Sequence, residues 1–82
     1  MKQENYEHDI IHFLQTNILE ENTILNPTTV LRELGIDSYS IVEIILFIER
    51  KYNYVMPDHL LKTENFETIE KIASILVKEL NQ

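Results

Sequence analysis

Apolar residues recur every three or four positions in the first and last thirds of this chain. The spacing predicts an amphipathic helix from Tyr6 to Leu19 and another from about Thr68 to Leu80. The two apolar stripes are Tyr6, Ile10, Phe13, Leu14 and Ile18 in the first helix, and Ile69, Ile72, Ala73, Leu76 and Leu80 in the last. Since each stripe covers one face of its helix, both helices are expected to pack against a common core.

The central stretch, from about Ser38 to Tyr52, is apolar without strand-like alternation. Its β-branched residues are typical of a buried strand, but fifteen residues without a breaker exceed an ordinary strand, so we predict a helix. Asp37 or Ser38 is placed to cap the first turn, and two cations in the last turn suit the helix dipole. The predicted inward stripe is Ile41, Ile45, Ile48 and Tyr52, with Val42 and Ile44 on its shoulders and Tyr39, Leu46 and Phe47 pointing away.

One glycine and two prolines among 82 residues favour long helices over many strands and turns. After Pro27 a loop is predicted to continue to Gly35, with its apolar residues Val30, Leu31, Leu34 and Ile36 packed inward. Pro57 precedes a short segment, Asp58 to Leu61, read as one helical turn. The expected fold is all-α: a small four-helix bundle with three long helices and one short helix, forming a single domain over residues 1–82.

The composition excludes several classes of function. The net charge of −7 is opposite to that of a nucleic-acid binder, which needs Lys and Arg for phosphate contacts. The chain has no cysteine, no secretion signal and no apolar run long enough to span a membrane, so a cytoplasmic protein is the expectation. The acidity fits either docking to basic patches on partners or plain solubility, and both interpretations stay open.

Two motifs resemble catalytic or metal sites only weakly. His8 and His12 stand one helical turn apart, as in the H-E-x-x-H zinc motif, but Asp9 replaces the catalytic Glu and no third ligand is evident. Both histidines are expected on the exposed face, with no metal bound. Ser38 lacks the flanking glycines of a hydrolase elbow, and Gly35 lacks the Lys of a phosphate-binding loop, so no enzymatic activity is predicted.

Ser38 therefore has two interpretations from the residues alone. It is either a helix cap or a covalent attachment point, since a phosphodiester at a helix N-terminus lies in a favourable field. The motif Leu34-Gly35-Ile36-Asp37-Ser38, with Val42-Glu43-Ile44 downstream, resembles the signature of the acyl carrier protein family. The similarity continues through Met56-Pro57-Asp58 to Phe66-Glu67-Thr68-Ile69 at the start of the last helix.

This resemblance implies that a phosphopantetheinyl transferase moves 4′-phosphopantetheine from coenzyme A onto Ser38. Asp37 corresponds to the acidic neighbour that assists this magnesium-dependent transfer. The thiol of the arm then holds acyl intermediates as thioesters for fatty-acid, polyketide or related specialised enzymes, such as ketosynthases or acyl-activating ligases. The alternatives are an aminoacyl or peptidyl carrier, and an unmodified helical adaptor. The carrier is expected to be a monomer and to catalyse nothing itself.

The expected partner-docking residues are Tyr39, Glu43, Leu46 and Met56. Apolar side chains beside charged ones on the outer face of the second helix are typical of a docking surface. Fatty-acid carriers usually have Leu at the place of Tyr39 and more acidic residues along this helix. These departures favour a carrier of a specialised pathway with dedicated partners.

Overall fold

The computed structural model describes residues 2–20 and 22–80 of the chain. Its described part contains three α-helices, α1 (Gln3–Asn17), α2 (Ser38–Tyr52) and α3 (Ile69–Leu80). Three 3₁₀ turns connect them, at Leu31–Leu34, Asp58–Leu60 and Thr63–Phe66. The all-α prediction is confirmed, and α2 has the predicted bounds. None of the described helices combines the length and apolarity needed to cross a bilayer.

The predicted fourth helix is not present as an α-helix. The segment after Pro57 forms a 3₁₀ turn of three residues, and the chain is extended again at Lys62 before the turn at Thr63–Phe66. A segment this short closes too few hydrogen bonds to offset the cost of nucleating an α-helix. The linker therefore follows the core as two tight turns.

The helices enclose one core of fifteen buried apolar residues. They are Tyr6, Ile10, Phe13, Leu14, Leu25, Leu31, Ile36, Ile44, Ile48, Met56, Phe66, Ile69, Ile72, Ala73 and Leu76. The core draws on all three helices and on both long connections. Leu31 and Ile36 of the first connection are buried, as predicted, and Met56 and Phe66 of the second connection are buried as well. No described side chain has a buried polar atom without a hydrogen-bond partner. Burial of this apolar surface is the main force that holds the short helices together.

Aromatic contacts fix α2 against α1 and correct the predicted inward stripe. Tyr6 meets Tyr52 edge-on with ring centroids 5.2 Å apart, and Phe13 stacks on Phe47 at 4.4 Å. These pairings show that the two helices run antiparallel. Phe47 is predicted to point away from the core, but it is half-buried because Phe13 of α1 stacks on its ring.

The fully buried face of α2 is also rotated about the helix axis from the predicted inward stripe. Ile44 and Ile48 are fully buried, whereas Ile41, Ile45 and Tyr52 are half-buried. The predicted stripe assumed one packing direction, but α2 is covered from the side of Phe47 as well. The fully buried positions therefore lie between the two directions of contact.

Backbone hydrogen bonds tie the long first connection to the start of α3. The N–H of Leu31 donates to the carbonyl of Glu67 at 2.9 Å, and the N–H of Glu70 donates to the carbonyl of Pro27 at 2.9 Å. Thr68 caps α3, because its Oγ1 accepts from the N–H of Lys71 at 3.2 Å. These bonds satisfy donors at the helix start. They also hold the segment before α2 in place.

Candidate functional site

The segment that leads into α2 turns sharply at Gly35. This residue has φ 84° and ψ 12°, in the left-handed region, and ends the 3₁₀ turn at Leu31–Leu34. Its N–H donates to the carbonyl of Arg32 at 3.1 Å, and the N–H of Ile36 donates to that of Leu31 at 3.3 Å. A Cβ on Gly35 would have no heavy atom within 4 Å. The backbone angle, rather than lack of space, is what favours glycine here.

Asp37 caps α2, which decides between the two predicted caps. Its backbone is extended, and its side chain accepts a hydrogen bond from the N–H of Ser40 at 3.0 Å. This backbone hydrogen bond holds the pKa of the Asp37 carboxyl below its usual value of 3.8. The negative charge also suits the positive end of the helix dipole. Ser38 is therefore not the residue that caps the helix, which was the alternative to covalent attachment.

Ser38 is the first residue of α2 and is exposed to solvent. Within residues 2–20 and 22–80, the structure gives its hydroxyl no hydrogen-bond partner. Ser40, the neighbouring serine, is half-buried, and its N–H is held by the cap. The free hydroxyl thus stands on a rigid helix end, where a phosphate group would be stabilised by the helix dipole.

A groove of about 380 Å³ opens beside this hydroxyl. It is lined by Val30, Leu31, Arg32, Gly35, Ile36, Asp37, Ser38, Ile41, Thr63, Phe66 and Glu67. A second groove of about 190 Å³ shares Ser38, Ile41, Thr63 and Phe66 with the first and continues to Val42, Ile45, Leu61 and Lys62. Ser38 therefore lies where the two grooves meet. An exposed hydroxyl, a favourable helix end and a mostly apolar channel on either side fit a long, flexible phosphate-linked group.

The predicted docking residues separate into an exposed set and a buried one. Tyr39 is 74% exposed and Leu46 is 47% exposed, whereas Glu43 is half-buried. Met56 is only 3% exposed and belongs to the core, so its assignment to a docking surface is wrong. It lies three residues beyond Asn53, the left-handed residue that ends α2, and its side chain is in the core.

Sequence reasoning missed two features of the surface around Ser38. Val42 was placed on the shoulder of the inward stripe, but it is 52% exposed and lies one helical turn from Tyr39 and Leu46. Arg32 was not singled out, although it lines the groove beside Ser38. The spacing of three residues between Tyr39 and Val42 is the sequence signal for the exposure of Val42. The proximity of a cation to the motif is the sequence signal for Arg32.

The histidine pair lies away from this site. His8 and His12 are both exposed, as predicted, and line a shallow groove with Asp9, Phe47 and Lys51. Among residues 2–20 and 22–80, no cluster of three His, Cys, Asp or Glu side chains is arranged to hold a metal ion. The carboxylate of Asp9 accepts a hydrogen bond from the Tyr52 hydroxyl at 2.8 Å, which gives it a structural role.

Comparisons with known proteins agree with this geometry. A sequence model described as the phosphopantetheine attachment site matches residues 14–76 of the chain. Aminoacyl carrier protein 2 of Bradyrhizobium diazoefficiens is 24% identical over 67 residues, covering 78% of this chain and 75% of that protein. Aminoacyl carrier protein 1 of the same organism is 26% identical over 70 residues, covering 82% and 78% respectively.

Two solved structures share the fold. One is a crystal structure of the Bradyrhizobium japonicum glycine:[carrier protein] ligase complexed with glycylated carrier protein, with a TM-score of 0.70 at 20% identity over 89% of this chain and 96% of the matched chain. The other holds the same ligase with its cognate carrier protein and an analogue of glycyl adenylate, with a TM-score of 0.74 at 19% identity over 94% and 97%. Because the family match spans more than half of the chain and includes the Ser38 motif, the chain belongs to the family of non-catalytic carrier proteins that bear 4′-phosphopantetheine.

Proposed function

We propose that Ser38 is the attachment site of 4′-phosphopantetheine and that the carried group is an aminoacyl group. The observation that supports attachment at Ser38 is that two neighbouring residues have different roles at the start of α2. Asp37 supplies the cap, and Ser38 keeps an exposed hydroxyl without a partner among the described residues. A serine needed only to begin the helix would accept the N–H that Asp37 accepts.

The residues around Ser38 fit the demands of the transfer. The Ser38 oxygen forms the new bond to phosphorus and loses its proton, while the bond of that phosphorus to the nucleotide part of coenzyme A breaks. The new phosphodiester carries one negative charge, which the positive end of α2 offsets. Asp37 keeps its charge because its pKa is lowered, and this exposed carboxylate is proposed to assist the magnesium ion that the transfer uses. When bound, the prosthetic group supplies the thiol that holds the cargo.

The assignment of an aminoacyl cargo is supported by the names of the relatives. Two curated relatives are aminoacyl carrier proteins, and the carrier in one similar structure is described as glycylated. We therefore favour an aminoacyl carrier over the fatty-acid or polyketide carrier that the motif alone suggested. The fully buried Ile44 and Ile48 belong to the core beneath α2.

The exposed face of α2 is proposed to dock the enzyme that loads the amino acid. Tyr39, Val42 and Leu46 follow one another at spacings of three and four residues, so they share one face that begins next to Ser38. Glu43 lies within the same stretch and adds a polar contact at the rim. Apolar side chains exposed to this degree cost solubility unless a partner covers them. The proposed partner is an amino-acid-activating ligase, because such a ligase is the partner of the carrier in both similar structures.

Intact mass spectrometry tests the attachment site. The protein is incubated with coenzyme A, magnesium and a broad-specificity phosphopantetheinyl transferase. The wild type and Ser40→Ala are expected to gain the mass of one phosphopantetheine group, and Ser38→Ala is expected to gain none. If the wild type stays unmodified while a control carrier is loaded in the same tube, the chain is an unmodified helical adaptor.

The cargo is tested on protein isolated from its own host. Hydroxylamine cleaves a thioester and captures the carried group as its hydroxamate, which mass spectrometry identifies. An amino acid hydroxamate is the expected product. A fatty or polyketide hydroxamate would contradict the aminoacyl assignment and leave the attachment at Ser38 intact.

A further inference from the structure

Arg32 places a cation in the groove beside Ser38. It lies in the 3₁₀ turn at Leu31–Leu34, and its carbonyl accepts the N–H of Gly35 at 3.1 Å. The N–H of the preceding Leu31 is bonded to Glu67, so this turn is fixed at both ends. Arg32 and Ser38 line the same groove of about 380 Å³. The backbone that carries Arg32 is therefore held in place beside the start of α2.

The carboxylates that share this groove are already engaged. Asp37 accepts the N–H of Ser40 at 3.0 Å, and Glu67 pairs with Nζ of Lys71 at 3.3 Å. Within the described ranges, the structure gives Arg32 no carboxylate within ion-pair distance. Among the described residues, Arg32 is thus an exposed cation without a paired anion, and it lines the same groove as the proposed point of attachment.

We propose that the guanidinium of Arg32 binds the phosphodiester that links the prosthetic arm to Ser38. This inference rests on the proposed attachment at Ser38. Guanidinium presents a planar fork of donors that matches phosphate oxygens, and it stays charged at all relevant pH values. The contact anchors the first part of the arm against the groove and leaves the thiol end free to move. Arg32 is a positioning residue for the arm.

The chain offers an internal control, because its only two arginines are Arg32 and Arg50. Arg50 lies in the last turn of α2, at the opposite end of the helix from Ser38. Each arginine gives one side-chain Nε–H signal in a ¹⁵N-correlated NMR spectrum, and Arg32→Lys and Arg50→Lys assign the two signals. We expect the Arg32 signal to move when the protein is loaded with the arm and the Arg50 signal to stay.

The mobility of the arm provides a second measurement. A fluorescent coenzyme A analogue is loaded onto the wild type, Arg32→Gln and Arg50→Gln, and the anisotropy decay is recorded. An exposed ion pair changes the ratio of bound to free states by roughly two- to fivefold. Loss of the Arg32 contact in Arg32→Gln is therefore expected to raise the fraction of freely moving arm by about twofold. Arg50→Gln should match the wild type, and 0.5 M salt should abolish the difference.

The outcomes separate this proposal from the function on which it rests. The role of Arg32 alone is overturned if mass spectrometry shows complete loading while the Arg32 signal does not move and the arm is equally mobile in Arg32→Gln and the wild type. Absence of loading at Ser38 overturns the attachment itself. A shift of both arginine signals, with equal mobility in both variants, also overturns the proposal, because it indicates a general change in the fold.

Discussion

The carboxylate of Asp37 accepts a hydrogen bond from the N–H of Ser40 at 3.0 Å, across the residue proposed to carry the prosthetic group. The acid next to Ser38 therefore stabilises the helix and supplies charge at the same time. Capping needs an acceptor oxygen, whereas assistance to a magnesium ion needs a negative charge. The two roles can be separated by substitution.

Asp37→Ala and Asp37→Asn are predicted to differ in stability but to agree in loading. Loss of the cap in Asp37→Ala should lower the free energy of unfolding, whereas Asn caps almost as well as Asp. Urea unfolding measures this difference. Both variants should be loaded more slowly at saturating magnesium, because both lack the charge. Normal loading of Asp37→Asn would show that the charge of Asp37 is not needed for loading and that its role is to cap the helix.

The same pair of variants predicts a pH dependence. The pKa of Asp37 is lower in the folded protein than its usual 3.8, so its contribution to stability is present above that pH and is lost as the pH falls through the folded value. The wild type should therefore lose more stability on acidification below about pH 4 than Asp37→Asn does. Equal acid sensitivity in urea unfolding would mean that the cap does not depend on the charge.

The bounds of α2 could be predicted from the sequence because their determinants are local. A glycine turn, an acidic cap, a continuous apolar run and two terminal cations mark both ends of α2, and the motif is the basis for proposing Ser38 as the attachment site. The errors concern residues whose environment depends on distant elements. Phe47 is half-buried against Phe13 of another helix, and no spacing within α2 shows which side that helix covers.

Met56 illustrates the same limit. Its burial depends on a core built from elements that are distant in sequence. Since that core is not visible in a local pattern, the sequence analysis assigns Met56 to the docking surface. The short linker was similarly read as one helical turn, because the choice between α and 3₁₀ geometry depends on packing.

The burial of Met56 predicts that its truncation acts on stability. Met56→Ala should lower the free energy of unfolding by about 2–4 kcal/mol, whereas Met56→Leu preserves the volume and should cost less than about 1.5 kcal/mol. Thermal or urea unfolding provides the measurement. Met56→Leu should be loaded with cargo at the rate of the wild type. A folded Met56→Leu that is no longer loaded by the proposed ligase would return this residue to the docking surface.

The hydrogen bond from Tyr52 to Asp9 predicts a loss of stability in alkali. Burial, with a smaller effect of the neighbouring carboxylate, raises the pKa of Tyr52 well above 10. Burial and Glu79 similarly raise the pKa of Tyr54 to about 12. The pKa of each tyrosine is higher in the folded protein than in the unfolded chain. Each therefore contributes fully to stability below about pH 10, and this contribution is lost as the pH rises beyond that value. Stability should therefore fall above about pH 10.

Tyr52→Phe tests this dependence directly. The variant should be less stable at neutral pH by about 1 kcal/mol, since it loses one hydrogen bond to a carboxylate. Its stability should then fall less steeply in alkali than that of the wild type. Tyr39→Phe removes a hydroxyl from an exposed ring and should leave both values unchanged. Parallel alkaline profiles for Tyr52→Phe and the wild type would contradict the assignment.

The exposed face of α2 predicts a loss of docking without a loss of stability. Alanine at Tyr39 and Leu46 together should lower kcat/KM for aminoacylation of the loaded carrier by about tenfold or more, because interface energy is concentrated in a few large side chains. Glu43→Ala should have a smaller effect at the rim. Ile24 and Val55 are matched controls, being 82% and 77% exposed but outside this face. If alanine at these controls lowers kcat/KM as much, exposed apolar area in general, rather than this face, governs recognition.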